Sequence, residues 1–166
     1  MTEADTTTFT LPPDVCATID DYLSRFPAEQ RRSGILFALR TAQEWHGWLP
    51  EALMDTVAEY LNVPKIWVYE VATFYSMYNL KPCGRHKVGV CMSISCALRG
   101  SKKIAEHIQA RYGVGFGETT ADDKFSLQEV ECMAACNAAP MLIVDDKHYH
   151  ENLTPEKVDA ILQELE

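Results

Sequence analysis

HKVGVCMSISCALRG, residues 86–100, is the stretch that decides how this chain folds. His86 to Val90 reads as a strand that runs directly into a loop bounded by Cys91 and Cys96, and a helical pattern then covers Gly100 to Tyr112. Gly113, Gly115 and Gly117 break that helix, and Phe125 to Val130 follows as a second short strand or a strand-helix mixture. It ends at a second cysteine loop, Cys132-Met-Ala-Ala-Cys136. Met141 to Val144 and Lys147 to Tyr149 read as a hairpin turning at Asp145-Asp146, and Thr154-Pro155 caps a last helix. Strand, helix, strand, hairpin, helix make a small α/β layer. Both cysteine loops lie at strand ends, where such layers place their sites.

Upstream of Lys81-Pro82 the period changes to that of helices. Four are expected: Asp14 to Phe26, Ala28 to Trp48, Glu51 to Leu61, and one opened by Pro64 that fades by Asn79. The organisation expected is therefore a disordered lead over residues 1–13, a helical bundle over 14–80 and a second domain over 81–166. The lead, MTEADTTTFTLPP, has the composition of neither a signal peptide nor a transit peptide. No segment approaches the roughly 20 apolar residues of a membrane-spanning helix, so no direct membrane insertion is expected. Formal net charge is −9, which disfavours nucleic acid as a partner. A reducing cytoplasm is the expected compartment, where paired cysteines point to metal or redox chemistry more than to disulfides.

Four of the six cysteines form a C-x4-C pair and a C-x3-C pair thirty-five residues apart. Four thiolates could hold a 2Fe-2S cluster or one zinc ion, or two of them could form a redox dithiol. The gaps are wide for a zinc knuckle and suit a larger inorganic core. Both loops are rich in Ser and Ala, whose small side chains let backbone N-H groups approach sulfide. The plant-type ferredoxin spacing C-x4-C-x2-C is absent. A helix-turn-helix regulator built on Glu51 to Tyr75 is the competing class, and its second helix offers one Lys and no Arg. The glycines at 113, 115 and 117 follow a helix and do not open one after a strand, so the dinucleotide fingerprint is missing.

AQEWHGWLP (42–50), VAEYLNVP (57–64), VYEVATFYSMYNLKP (68–82), VCMSISCALRG (90–100), EVECMAACNAAPMLIVDD (129–146) and ENLTPEKVDAIL (151–162) together resemble the E subunit of bacterial NADH:quinone oxidoreductase, complex I, in the thioredoxin-like 2Fe-2S ferredoxin family. The resemblance implies an N-terminal helical bundle followed by a thioredoxin-like 2Fe-2S domain, with Cys91, Cys96, Cys132 and Cys136 as cluster ligands. It implies an electron-transfer component with no catalytic site of its own, exchanging electrons with the FMN of a partner that binds flavin and NADH. Other subunits of the peripheral arm would surround it, on the cytoplasmic side of the bacterial inner membrane. NAD-linked hydrogenases and formate dehydrogenases use similar subunits. The chain departs from the family at Met133-Ala134, where Leu-Gly is frequent, and at Ala138-Ala139.

Cys16 and Cys83 are expected to be ordinary free thiols, and the five histidines to serve surface or packing roles. The aromatic residues between Trp45 and Tyr78 are expected in the core or at an interface, with Trp67, Phe74 and Tyr78 as anchors for a partner. One charge feature stands out: Lys81, Arg85, Lys87, Arg99, Lys102 and Lys103 are six cations with no carboxylate among them up to Ala105. Such a stretch suits a solvated face, an acidic partner, or a negative cluster whose reduction the cations favour.

Overall fold

Proline sets the helix starts in the first part of the chain, because its fixed φ preorganises the first turn. Pro12 precedes α1 (Pro13–Leu23), Pro50 precedes α3 (Glu51–Leu61) and Pro64 precedes α4 (Lys65–Phe74). The computed structural model describes residues 9–165. The chain divides between Pro82 and Cys83 into two units.

In the first unit, α3 ends where Asn62 turns left-handed at φ 53° and the Val63 N-H closes onto the Ala58 carbonyl at 3.0 Å. The single helix expected from Ala28 to Trp48 is instead a 3-10 segment, Ala28–Gly34, followed by α2 (Ile35–His46). The helical path is interrupted at Gln30, whose φ of −98° and ψ of 32° are non-helical, while Gly34 is right-handed and leaves room for the Leu23 side chain of α1, whose Cδ2 a Cβ there would meet at 2.4 Å. Ile19, Ile35, Leu39, Leu53, Leu61 and Val68 form the centre of one continuous apolar core. α4 stops at Phe74 because Tyr75 is already extended, earlier than its apolar pattern implies.

Two expectations for this unit are corrected. Of the lead expected to be disordered, residues 1–8 lie outside the described residues, but Leu11 is buried in the helical core and Phe9 packs against it, its ring 4.9 Å from His46. Two apolar side chains are enough to dock the segment before α1. Of the three aromatic anchors, Phe74 is 80% exposed, whereas Tyr78 is 6% exposed and donates from its hydroxyl to the Leu36 carbonyl at 2.7 Å. Tyr78 belongs to the core. Trp67 is half-buried, with the Arg32 guanidinium 4.3 Å from its ring centroid.

The second unit is a four-stranded mixed sheet in the order β2-β1-β3-β4, comprising β1 (His86–Cys91), β2 (Phe125–Val130), β3 (Leu142–Val144) and β4 (His148–His150). β1 pairs parallel with β2 and antiparallel with β3, and the β3-β4 hairpin turns at Asp145-Asp146, both left-handed. The parallel pair needs a crossover, supplied by α5 (Ile94–Leu98) and α6 (Ser101–Tyr112). α7 (Pro155–Glu164) is capped by Thr154, whose hydroxyl accepts from the Lys157 N-H at 3.3 Å. Val88, Val90, Phe125, Leu127, Leu142 and Val144 form one apolar face against Ile104 and Ile108 of α6 and Val158 and Leu162 of α7. This helical bundle and mixed sheet are the architecture the resemblance implies.

Candidate metal centre

Strand alternation sets where Cys91 points. Val88 and Val90 face α6 and α7, so Gly89 and Cys91 face the opposite side, where Cys91 packs with Cys96, Ala135, Ala139, Met141 and Ile143. Gly89 is fixed by crowding on that side: a Cβ would lie 2.7 Å from Val130 Cγ1 and 3.1 Å from Ile143 Cγ2. β1 runs one residue further than its alternation implies, so Cys91 is itself a strand residue opposite Val130. Its N-H donates to the Met141 carbonyl at 3.2 Å, and the Met92 N-H donates to the Val130 carbonyl at 3.2 Å. The two cysteine loops therefore leave the same end of adjacent strands.

Short helical turns then bring the remaining thiols in. α5, a five-residue helix that the sequence pattern does not announce, places Cys96 on its inner side. Cys91 and Cys96 are each 2% exposed, whereas Cys132 and Cys136 are exposed, with their Sγ atoms 3.3 Å apart. Burial, then the hydrogen bond with Cys91, pushes the Cys96 thiol above its ordinary value. The Ala134 N-H donates to Cys132 Sγ at 3.4 Å and, with the Cys136 thiol, holds Cys132 below its ordinary value. Cys136 moves up in turn, chiefly through its hydrogen bond with Cys132. Cys136 also feels Cys91, and Cys96 feels Cys136, so the two pairs form one electrostatic group.

Four thiols are the kind of donor set that a 2Fe-2S core takes. Among the described residues no three His, Cys, Asp or Glu side chains are grouped to hold one metal ion. The thiols stand instead as two pairs, one buried and one open. A tetrahedral metal with bonds of about 2.3 Å spreads two thiolates to roughly 3.8 Å, so the exposed pair needs only a small opening to span one metal. The loops are tied to each other by Arg99, whose guanidinium donates to the Ala139 carbonyl at 3.4 Å, and by Ser93, whose hydroxyl donates to Glu131 at 3.2 Å. Sequence reasoning misses the Ala134 donor and the Gly89 cradle; a lone glycine inside a strand is the one signal that marks the second.

Cys16 and Cys83 are half-buried and form no disulfide, and the Cys16 thiol lies 3.7 Å from the Leu11 carbonyl within the helical unit. His86 pairs with Asp145 and His107 with Asp159, each at 2.9 Å, and His46 meets the Trp48 carbonyl at 3.0 Å. Among the described residues no helix is long and apolar enough to cross a membrane.

Residues 19–166 match the model of the thioredoxin-like 2Fe-2S ferredoxin family. The chain is 44% identical over 147 residues to the E subunit of the NADH-quinone oxidoreductase of Rickettsia bellii, an alignment covering 88% of this chain and 87% of that one. It is 42% identical to the NADH-quinone oxidoreductase E subunit numbered 2 in Rhizobium meliloti, covering 87% and 84%. Among solved structures, an NAD+-reducing NiFe hydrogenase in its H2-reduced state superposes with a TM-score of 0.61 over 92% of this chain, at 15% identity. The chain spans 22% of that hydrogenase chain, and the likeness is one of fold. The chain belongs to the thioredoxin-like 2Fe-2S ferredoxin family and is an iron-sulfur protein carrying a 2Fe-2S cluster.

Proposed function

We propose that this chain is the electron-transfer subunit of an NADH-quinone oxidoreductase, holding one 2Fe-2S cluster on Cys91, Cys96, Cys132 and Cys136 and exchanging electrons with the FMN of a partner subunit that binds NADH. The observation that carries this reading is the meeting of two thiol pairs at one end of β1 and β2, in a chain 44% identical to an E subunit of that enzyme. When bound, the cluster supplies a one-electron redox couple. The chain's own part is to supply thiolates, to shield one pair from water and to aim backbone donors at sulfur. Cys91 and Cys96 sit in the apolar pocket, so one side of the centre is dry. Cys132 and Cys136 lie at the surface, which leaves an edge open to a redox partner. No dinucleotide-binding loop occurs among the described residues, so flavin and NADH belong to the partner. The same reading puts the chain in the peripheral arm, on the cytoplasmic side of the inner membrane, among the other subunits of that arm.

Single Cys→Ala replacements test the ligand set. Loss of Cys91, Cys96, Cys132 or Cys136 is expected to remove most of the bound iron and the visible absorption, while Cys16→Ala and Cys83→Ala keep both. Iron and sulfide are expected at about two each per chain. Zinc at one per chain with no visible bands would sink the assignment, and so would a cluster left intact by any of the four replacements.

A further inference from the structure

α5 presents an apolar knob at the edge of the metal centre. Ile94 is 77% exposed and Leu98 83% exposed, four residues apart and therefore on one stripe of the helix, while Cys96 between them points inward and is 2% exposed. Two large aliphatic side chains held in water without packing contribute nothing to this unit's core, whose apolar clusters omit both. Cations gather past the end of the same helix. Arg99, Lys102 and Lys103 are all exposed; Lys102 reaches Glu106 only at 3.9 Å, and Arg99 touches the second cysteine loop through the Ala139 carbonyl. At the other end of α5 lies Glu131, held by Ser93. The surface is thus apolar at its centre and basic along one rim, in a chain whose net charge is −9.

We infer that the outer face of α5, Ile94 and Leu98 with Arg99, Lys102 and Lys103 behind them, is the docking surface through which the cluster meets its electron-exchange partner, and that the partner presents an apolar socket flanked by carboxylates. The inference rests on the proposed electron-transfer role and adds to it where, and by what chemistry, the partner seats. Two arguments select this occupant. A helix is only about 10 Å across, so a protein resting on Ile94 and Leu98 lies one helix width from Cys96. A second copy of this chain is the poorer occupant, because a two-fold contact would set the same three cations against themselves between two bodies of like net charge. An apolar centre with a charged rim is the anatomy of a specific, reversible interface, in which the centre supplies most of the affinity and the rim the steering.

The test uses the full, cluster-loaded chain and the purified flavin- and NADH-binding subunit of the same complex. Dissociation constants are measured at low and at physiological salt, and NADH-driven bleaching of the cluster absorbance is followed in the mixture. The Ile94→Ser/Leu98→Ser variant is expected to bind the flavin subunit at least about tenfold more weakly. The Lys102→Glu/Lys103→Glu variant is expected to bind more weakly at low salt and to lose most of the salt dependence. Both should keep the wild-type visible spectrum, since none of the four side chains is buried. Affinity and salt dependence unchanged in both variants, each with its spectrum intact, overturn the docking face. A wild-type chain that self-associates through Ile94 and Leu98, dissociating only in the serine variant, also overturns it and makes the occupant a second copy. The underlying reading fails separately: wild-type chain that binds the flavin subunit but is never reduced by NADH refutes electron transfer while the variants still decide the docking face.

Discussion

Ala134 sits between two proposed ligand cysteines with φ at 62°, in the left-handed region that costs a residue with a Cβ about 1–2 kcal/mol. The conformation has a use. It turns the Ala134 N-H toward Cys132 Sγ at 3.4 Å, and that donor is the leading reason the Cys132 thiol lies below its ordinary value. Glycine would keep the donor and remove the strain, at the cost of about 0.5–1 kcal/mol of extra freedom in the unfolded chain. Relief outweighs that cost by a small margin. Ala134→Gly is therefore expected to stabilise the loop by about 0.5–1 kcal/mol, seen as slower thermal bleaching of the cluster with an unchanged visible spectrum, whereas Ala134→Val should bleach faster. Equal bleaching rates for all three would show that the loop relaxes around position 134. The sequence marks Met133-Ala134 as a departure from the family pattern but carries no sign of φ, because the strain exists only once Cys132 and Cys136 are drawn to one point. Gly89 is half-legible in the same way: glycine in a strand signals close approach, and only the packed sheet identifies Val130 and Ile143 as what approaches.

The contact between α3 and α4 is tied by a polar cluster. Asp55 of α3 accepts from Lys65 Nζ at 2.7 Å and from the Tyr69 hydroxyl, both on α4, and Lys65 also lies 3.7 Å from Glu59. Burial raises the Asp55 carboxyl, but the hydrogen bonds from Lys65 and Tyr69 outweigh it and leave the group below its ordinary 3.8. A carboxylate with a lowered folded value stabilises the fold above its ordinary range, and that contribution fades as pH falls through the lowered value. Asp55→Asn is therefore expected to cost about 1 kcal/mol at pH 7, a figure kept low because the side chain is partly exposed, and the gap to wild type should narrow as pH falls below the ordinary 3.8. Urea unfolding followed by helical circular dichroism at pH 7 and at successively more acidic pH measures it. A gap that does not narrow in acid would mean that the substituted amide fails by shape, not by charge. The helices themselves differ in how much the sequence discloses. α3 is readable from end to end, since Pro50 and Asn62 are local signals that act regardless of what packs nearby. The break at Gln30 is hidden because no Gly or Pro marks it, and α5 because five residues are too few for an apolar period to register.

At the scale of the molecule, every described core cluster stays on one side of Pro82-Cys83. One cluster runs from Leu11 to Tyr78, and the other two lie wholly between Val88 and Leu162. The change from helical to alternating period near Lys81-Pro82 is the trace of that division in the sequence. All four proposed ligands lie in the second unit, whose sheet, crossover and capped α7 are each closed by bonds within it. A unit of this size buries only about 60–65% of its unfolded surface and is marginal on its core alone. Metal ligation adds folding free energy where the apolar clusters are small, and the Cys91, Cys96, Ala135, Ala139, Met141 and Ile143 cluster is the smallest of the three. A fragment covering residues 83–166 is thus expected to fold and to reconstitute the visible spectrum of the whole chain, and to lose far more thermal stability than residues 1–82 when iron is removed by a chelator. The helical fragment, lacking every proposed ligand, should melt at the same temperature with or without chelator. An 83–166 fragment that stays unfolded when supplied with iron and sulfide would show that the helical unit is part of the same folding unit, and that the separate cores mark a boundary of packing without independent stability.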